Sequence, residues 1–466
     1  MDTQPTDPTG SPDLSLVLAC HNEETILEES VGRILGTLEG ARLSWEVIFV
    51  EDASRDRTRR VLGRILDVRR DGRLRAVLHD RNTGRGAAVS DGFRAARGSI
   101  VGFIDVDLEV GPETILPCLE AIRAGADVAL GRRAFGFSLR GAWRYVLSKG
   151  YARLARALLP IGSVTDSETG YKFFRRETAM ALLDRVRDPG WFWDTEIVVR
   201  AVEAGCRIAE VPCVYVRNHL KRSTVRTVHD SAVYFLRLMA FRRVLRAEAR
   251  SRETEAWWRE RGGSFSGHYG ARGPFSGFVG AFLDRRARLV DGWVKVRPGA
   301  RALDAGCGHG LHLAVLAAGG AVVTGVDVSP AMLDRSRRAL DAAGGGGELV
   351  AGRIESVDLP AASFDLVLAI GLLDYSGDWR RVLARLSGWT KPGGRVVFTV
   401  PKRPSPFWFL RIGPGLWMRR ALFELPPILV AVTRAELEGA ARAAGLVIEE
   451  VASCSGTMWA VRATKP

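Results

Sequence analysis

The chain alternates, twice, between short apolar runs and stretches of helical periodicity, and no other feature constrains its architecture as strongly. Apolar runs at 14–19, 45–50, 74–78, 100–104 and 128–130 belong to the first block; runs at 301–305, 322–327, 364–369 and 395–400 belong to the second. Parallel strands need long crossovers, usually helical, so this alternation predicts largely parallel sheets covered by helices. The fold class is therefore α/β. With 466 residues the chain exceeds one ordinary domain. A stretch rich in charge and glycine, from Arg242 to about Gly277, separates the blocks. The expected organisation is a disordered N-terminus at 1–12, a first domain at 13–245, a linker at 246–264 and a second domain at 265–466. The blocks share no motif at matching positions, so they read as a fusion of unlike domains and not as a duplication.

Charge and cysteine usage narrow the partners. Lys and Arg outnumber Asp and Glu by 67 to 53, a net charge of +14, which weakly favours anionic partners. No nucleic-acid motif accompanies that charge, so nucleic acid is not expected as a partner. The six cysteines form no C-x-x-C pair, which argues against a zinc knuckle or a disulfide framework. The polar, Pro-rich start lacks the basic and apolar regions of a secretory signal, giving a cytoplasmic expectation. The most apolar stretch, 406–432, is interrupted by Arg411, Arg419, Arg420, Glu424 and four prolines. It could touch a bilayer at the cytoplasmic face without crossing it.

In the first block, Asp105-Val-Asp107-Leu-Glu109 follows an apolar run directly. Residues i, i+2 and i+4 of an extended chain share a side, so the three carboxylates can converge past the strand end. Hard oxygen donors shared with substrate phosphates suit Mg²⁺ or Mn²⁺. His21-Asn22-Glu23 and Glu51-Asp52-Ala53-Ser54 follow the first two runs, where open α/β sheets bind ligands. Asn22 and Ser54 also suit plain helix caps.

With those residues in view, residues 13 to about 245 resemble the inverting glycosyltransferases of the dolichyl- or polyprenyl-phosphate sugar synthase type, which have a GT-A fold. The blocks ACHNEE, VEDASRDRT, NTGRGAAVSDGF, DVDLEVGPE and DSETGYKFFRRE occur in the family's order, followed by WFWDTEIVVRA and AEVPCVYV. The resemblance implies that Glu23 and Asp52 contact the nucleotide and that Asp105, Asp107 and Glu109 hold the metal. It places Arg85 in the Gly-Lys-Gly position and Arg132 near a phosphate. Glu109 stands where the family often has Gln, and Lys221-Arg222-Ser223-Thr224 where it often has Gly-x-Ser-Lys, leaving phosphate contacts to Lys221, Arg222 or Arg226. The implied reaction is displacement at the anomeric carbon of a nucleotide-sugar donor, with metal neutralising the departing diphosphate. A polyprenyl-phosphate acceptor is already anionic. A hydroxyl acceptor would need a base, for which Asp194 and Glu196 are the candidates; both residues equally suit a helix N-cap and first turn. Basic, aromatic helices at 140–159 and 231–250 suit either an anionic membrane surface or packing with a wet basic face.

The second block opens with Asp304-Ala-Gly306-Cys-Gly308-His-Gly310, a glycine-rich turn between strand and helix, and Asp327 ends the next strand. Such glycines admit close approach of a ligand, and the acid can bind ribose hydroxyls. Residues from about 265 to 466 resemble class I S-adenosylmethionine-dependent methyltransferases, which have a Rossmann-like fold, through LDAGCGHG, VTGVDVSPAML, FDLVLAIGLLDY and WTKPGGRVVFTVP. By that resemblance Gly306, Gly308 and Gly310 line the cofactor, Asp304 orients the loop and Asp327 holds the ribose. An NAD-binding domain is the rival, disfavoured by the order of the glycine motif and by the KPGG turn. Gly352-Arg353, with Glu355 two positions on, stands where the family often has Gly-Asp near the adenine. His309 and His312 read as loop and packing residues, with no metal assigned. Asp374, Tyr375, His268 and Tyr269 are candidates for the pocket mouth, and 404–420 falls where a substrate cap is carried.

The expected function is a bifunctional transferase. One half moves a sugar from a nucleotide donor to a polyprenyl phosphate or related acceptor; the other methylates the product or a pathway intermediate. The alternatives are a single catalytic half with a binding partner domain, and transfer to a soluble hydroxyl acceptor.

Overall fold

The computed structural model describes residues 11–69, 72–134, 153–216, 227–265, 285–405 and 429–466. The chain divides into two compact units, Met1–Arg242 and Arg243–Pro466, each built on its own seven-stranded sheet.

In the first unit the strands are β1 (Leu14–Cys20), β2 (Trp45–Glu51), β3 (Leu74–Leu78), β4 (Ile100–Ile104), β5 (Val128–Ala134), β6 (Tyr171–Arg175) and β7 (Ile208–Val214), in spatial order β3-β2-β1-β4-β6-β5-β7. Strands β1 to β4 pair in parallel, and β6 runs antiparallel to both β4 and β5. The order reverses between β1 and β4, the switch point at which open sheets form a crevice. Strands β1 and β2 are buried almost throughout and mainly apolar, as strands covered on both sides require, and buried Ser15 donates to buried Glu46 at 2.6 Å. Helices α1 (Leu27–Glu39), α2 (Thr58–Val68), α3 (Arg85–Ala95), α4 (Ile115–Arg123), α5 (Arg176–Leu183) and α6 (Trp193–Glu203) cover it. Gly92 of α3 has no room for a side chain, since a Cβ there would meet Val17 Cγ1 at 2.4 Å. That close approach seats the N-terminus of α3, and hence Arg85, at the carboxyl end of the sheet.

Helix α7 (Thr227–Phe265) includes the stretch 246–264 expected as a linker, and its residues from Arg243 onward belong to the second unit. Glu255 and Arg259, one turn apart at 2.9 Å, show how so charged a stretch supports a helix.

The second sheet has order β10-β9-β8-β11-β12-β14-β13, from β8 (Arg301–Ala305), β9 (Val322–Asp327), β10 (Gly347–Ala351), β11 (Phe364–Ala369), β12 (Thr390–Pro401), β13 (Val447–Cys454) and β14 (Met458–Thr464). Its first five strands are parallel and β13 and β14 add an antiparallel hairpin. Helices α8 (Leu311–Ala318), α9 (Pro330–Ala342), α10 (Trp379–Trp389) and α11 (Arg434–Ala443) are among those that pack on this sheet. The fold is thus two α/β sheets, as expected, with β6, β7, β10, β13 and β14 added to the strands anticipated. All six cysteines are free thiols, five of them buried. Among the described residues no helix is long and apolar enough to cross a membrane.

Candidate active sites

The first site lies beyond the carboxyl ends of β1, β2 and β4. Its floor is a set of loops tied to one another. Asn22 takes a left-handed conformation, receives a hydrogen bond at Oδ1 from Arg55 N–H at 2.8 Å, and donates its own N–H to Ser54 Oγ at 3.1 Å. Neither residue caps a helix; they fasten one strand-end loop to the next. Glu23 is buried and donates its backbone N–H to Thr58 Oγ1 at 2.7 Å.

Asp52 organises the following loop. Its carboxylate accepts hydrogen bonds from the N–H groups of Thr83 and Gly84 at 2.8 and 2.9 Å and from Thr83 Oγ1 at 2.9 Å, and it lies 2.8 Å from His79 Nδ1. Burial pushes its pKa up, but these donors outweigh burial and hold it below the usual aspartate value. That loop delivers Arg85.

Arg85 is the hub. Its Nε and Nη2 donate to Asp105 Oδ1 at 3.0 and 2.6 Å, and its Nη1 donates to Asp194 Oδ2 at 2.5 Å. The guanidinium also stacks against the rings of Phe103 and Trp191, 5.1 and 4.8 Å from their centroids. Burial works against its charge, and the two carboxylates outweigh burial and raise its pKa. Lys172 of β6, fully buried, donates to the other Asp194 oxygen at 2.9 Å and to the carbonyl of Thr169. Burial pulls its pKa below the ordinary lysine value, with Asp194 opposing.

Of the three acidic residues after β4, Asp105 is held by Arg85, and its N–H donates to Gly170 O at 3.1 Å. Asp107 is half-buried, and Glu109 accepts the Tyr215 hydroxyl at 2.7 Å. Carboxylate oxygens are the donors that Mg²⁺ or Mn²⁺ prefers. Among the described residues, however, no group of three or more His, Cys, Asp or Glu side chains is disposed to hold a metal ion. Asp105 and Asp107 are the carboxylates that could offer oxygens to a cation, with one Asp105 oxygen already held by Arg85.

Asp194 and Glu196 both sit in the first turn of α6, but they face different surroundings. Asp194 joins the hub. Glu196 accepts the Asp188 N–H at 2.8 Å and lies 3.9 Å from Arg200, and burial raises its pKa. Arg132 is exposed on β5. Sequence reasoning gave no role to Lys172, to the Arg133–Asp166 pair at 2.7 Å, or to Glu168, whose pKa burial pushes up to about 7. All but Arg133 lie in DSETGYKFFRRE, a block that carries the family resemblance; a basic residue inside an apolar strand was the available signal for Lys172. Trp143, Arg144 and Lys149 of the basic stretch, together with Lys221, Arg222 and Arg226, lie outside the described residues.

The second site lies beyond β8 and β9. Gly306, Gly308 and Gly310 all have positive φ, at 74°, 55° and 84°, so the turn needs glycine at each. A Cβ on Gly308 would meet nothing within 4 Å, leaving an open cradle above the loop. Asp327 receives the N–H of Gly308 at 2.9 Å and that of Ser329 at 2.9 Å, so the acid at the end of β9 fixes the glycine loop. Burial raises its pKa against those bonds. Burial, assisted by Asp327, pushes Asp304 up to about 7. An open backbone cradle beside a buried acid fits an adenosyl group. His312 is pulled down to about 4 by burial and by the neighbouring Arg286 and His309, so it is neutral at pH 7. Arg353, after β10, pairs with Glu255 at 3.0 Å and lies 3.8 Å from Glu355. Asp374 and Tyr375 form a turn after β11; His268, Tyr269 and 406–420 of the expected cap lie outside the described residues.

A strand-end cleft of carboxylates and cations in one unit, with a glycine cradle and acid in the other, defines a group-transferring enzyme. The chain belongs to glycosyl transferase family 2, whose model matches residues 15–183, and a second model, methyltransferase domain, matches residues 303–398. The polyprenol monophosphomannose synthase of Mycolicibacterium smegmatis is 30% identical over 212 residues, which are 44% of this chain and 78% of that protein. Glycosyltransferase AglD of Haloferax volcanii is 37% identical over 205 residues, 43% of this chain. The dolichol-phosphate mannosyltransferase of Pyrococcus furiosus is 31% identical over 168 residues, 35% of this chain. The chain spans only 32% and 46% of the lengths of these last two relatives. Among solved structures, the magnesium protoporphyrin IX methyltransferase of Synechocystis with bound SAH matches 47% of this chain and all of that one, at 16% identity and a TM-score of 0.39.

Proposed function

We propose that the first unit transfers a sugar, with inversion, from a nucleotide-sugar donor to a polyprenyl phosphate, and that the second methylates the product or a pathway intermediate with S-adenosylmethionine. The domain assignment follows the expected 13–245 and 265–466, joined through 246–264. The names of the relatives from Mycolicibacterium smegmatis and Pyrococcus furiosus support a polyprenol- or dolichol-type acceptor.

The observation that carries the reading is the state of Asp194. Both of its oxygens are taken by cations, Arg85 on one side and Lys172 on the other. A carboxylate clamped between two buried cations serves as their shared counter-ion, the part that holds the hub together. Glu196 is engaged by the Asp188 backbone instead. An acceptor that arrives ionised needs neither, and a phosphate monoester does so. Its oxygen attacks the anomeric carbon while the bond from that carbon to the diphosphate breaks, and the nucleoside diphosphate leaves from the opposite face. Mg²⁺ or Mn²⁺ held by Asp105 and Asp107, with Glu109 adjoining, would neutralise the departing diphosphate. Glu23, Asp52 and Arg132 are assigned to the donor side.

In the second unit Gly306, Gly308 and Gly310 cradle the cofactor, Asp304 supports the loop and Asp327 takes the ribose hydroxyls. The enzyme works at the cytoplasmic face, in peripheral contact with anionic lipid. The test is mass spectrometry of lipid extracts after incubation with polyprenyl phosphate, a panel of nucleotide sugars and Mg²⁺ or Mn²⁺, with and without S-adenosylmethionine. A glycosylated lipid that gains one methyl mass only with the cofactor is the expected result. Release of nucleotide without lipid labelling would overturn the lipid acceptor in favour of a soluble hydroxyl compound.

A further inference from the structure

One face of α7 lies along the carboxyl end of the second sheet. The residues that make the contact recur at helical spacing. The carbonyl of Ala247 lies 2.8 Å from where a Cβ on Gly377 would stand; Glu255 Oε2 pairs with Arg353 Nε at 3.0 Å. The Trp258 ring meets Tyr375 edge-on at 5.3 Å. A Cβ on Gly262 would come within 2.9 Å of Ser329 Oγ, so the helix passes close to the end of β9 at that point. Gly377 and Tyr375 follow β11, Arg353 follows β10 and Ser329 follows β9. These are the strand ends at which an open α/β sheet binds its ligand.

Thr254 shares that face, four residues before Trp258 and eight before Gly262. It is 1% exposed, and its Oγ1 has no hydrogen-bond partner; Ser329, fully buried, has an equally unpartnered Oγ. Buried hydroxyls are almost always satisfied, and an unpaired one destabilises the protein that carries it. Two such groups flank the surface where α7 crosses the strand ends, and a bound ligand with its own donors and acceptors would complete them. Arg353 can only donate hydrogen bonds, so it cannot accept one from the amino group of an adenine. Glu255 beside it is an acceptor: Arg259 takes Oε1 at 2.9 Å and Arg353 takes Oε2 at 3.0 Å, and a carboxylate has about four lone-pair sites, which leaves it able to accept a further hydrogen bond.

We infer that this face of α7 is a wall of the adenosyl site, with the Thr254 hydroxyl a cofactor contact and Glu255, positioned by Arg353, the acceptor for the adenine amino group. The inference rests on the adenosyl reading of the second unit. α7 then belongs to cofactor binding, and the region between the two family matches is a working part of the enzyme.

The test is calorimetric titration of the full chain with S-adenosylhomocysteine, alongside thermal melts without ligand. Thr254→Val keeps the shape and removes the hydroxyl. The expected result is affinity weakened about fivefold or more with an unliganded melting temperature unchanged or higher, because an unsatisfied group has been removed. A companion measurement compares S-adenosylhomocysteine with its inosine analogue, which carries a carbonyl in place of the amino group. The wild-type protein should prefer the adenine form about tenfold or more, since a site built to pair a polar group rejects the analogue lacking it, and Glu255→Ala should bring that ratio towards one. A wild-type chain that binds S-adenosylhomocysteine while both variants match it in affinity and selectivity would overturn the inference alone. A wild-type chain that binds none would overturn the adenosyl reading and the inference with it.

Discussion

Arg85 reaches the carboxylate of Asp194 with Nη1 2.5 Å from Oδ2, and the same guanidinium grips Asp105 through its other two nitrogens. One planar cation therefore sets the position of the first acidic residue after β4 relative to the start of α6. Lysine has a single charged nitrogen and cannot span the pair in this way. Arg85→Lys should lower sugar transfer by about a hundredfold and destabilise the unit by about 2–4 kcal/mol, as breaking a buried pair does. Steady-state transfer assays and urea unfolding check the two numbers; wild-type turnover in the variant would show that the bridge has no part in the reaction.

Asp194 and Lys172 form the second arm of the hub, 2.9 Å apart and both within 3% of full burial. Removing Asp194 strands Lys172, and removing Lys172 leaves one buried Asp194 oxygen unpaired with Arg85 alone on the other. Lys172→Met and Asp194→Asn should each cost about 3–5 kcal/mol. The double variant should cost at least about 1 kcal/mol less than the sum, because it leaves no stranded charge at this arm. Simple additivity in a double-mutant cycle would mean the contact does not couple them.

Three acidic positions in a row were legible in the sequence, but their states were not. The alternation of Asp105, Asp107 and Glu109 follows from strand geometry. That Arg85 would hold Asp105 and Tyr215 would hold Glu109 depends on long-range pairing, across 20 and 106 positions, which no local pattern encodes. The glycine loop at Gly306 to Gly310 was readable because backbone requirements are local. Strands β7 and β13 were missed for the opposite reason: Ile208–Val214 and Val447–Cys454 are half-exposed edge strands carrying glutamates, so neither presents a continuous apolar run. Charge and glycine mark 246–264 as the stretch that joins the blocks; that it lies within α7 and meets distant strand ends depends on pairs such as Glu255 with Arg353, which no local pattern encodes.

Asp304 gives the second unit a pH signature. Its folded pKa, pushed up to about 7 by burial and by Asp327, lies above the unfolded value of 3.8. A raised acid pKa means that the folded chain holds the proton longer than the unfolded one. Stability then falls as pH rises from about 4 to about 7 and is flat above, by at most about 4 kcal/mol. Asp304→Asn keeps the shape without the titration, so the variant should gain on wild type as pH rises from 5 to 8. Thermal melts without cofactor across that range check it; parallel pH curves for the two proteins would rule out Asp304 as the titrating group.

The Asp327 carboxylate both fixes the Gly308 N–H and faces the cradle. Asp327→Ala should weaken S-adenosylhomocysteine binding by tenfold or more, on the order of 1.4 kcal/mol or more. Calorimetry reads this directly, and unchanged affinity would remove Asp327 from the ribose contact.

Gly84 decides whether Arg85 can reach the hub at all. It has φ +96°, and a Cβ there would stand 2.5 Å from the carbonyl oxygen of Pro189, itself the acceptor of the Ala87 N–H at 3.0 Å. Neither the backbone conformation nor the space admits a side chain, and the obstruction is main chain that cannot rotate away. Gly84→Ala should therefore cost about 2 kcal/mol or more and push the start of α3 off its seat, separating Arg85 from Asp105 and Asp194. Gly63, inside α2, is the control, because a Cβ there would meet nothing within 4 Å. Gly63→Ala should stabilise by about 0.5–1 kcal/mol through helix propensity alone. Urea unfolding of both variants separates a general effect of added methyl groups from the specific one, and sugar transfer lost in Gly84→Ala but kept in Gly63→Ala ties the turn to the hub. Full activity and stability in Gly84→Ala would mean that the Pro189 carbonyl yields and that the turn does not set the position of Arg85.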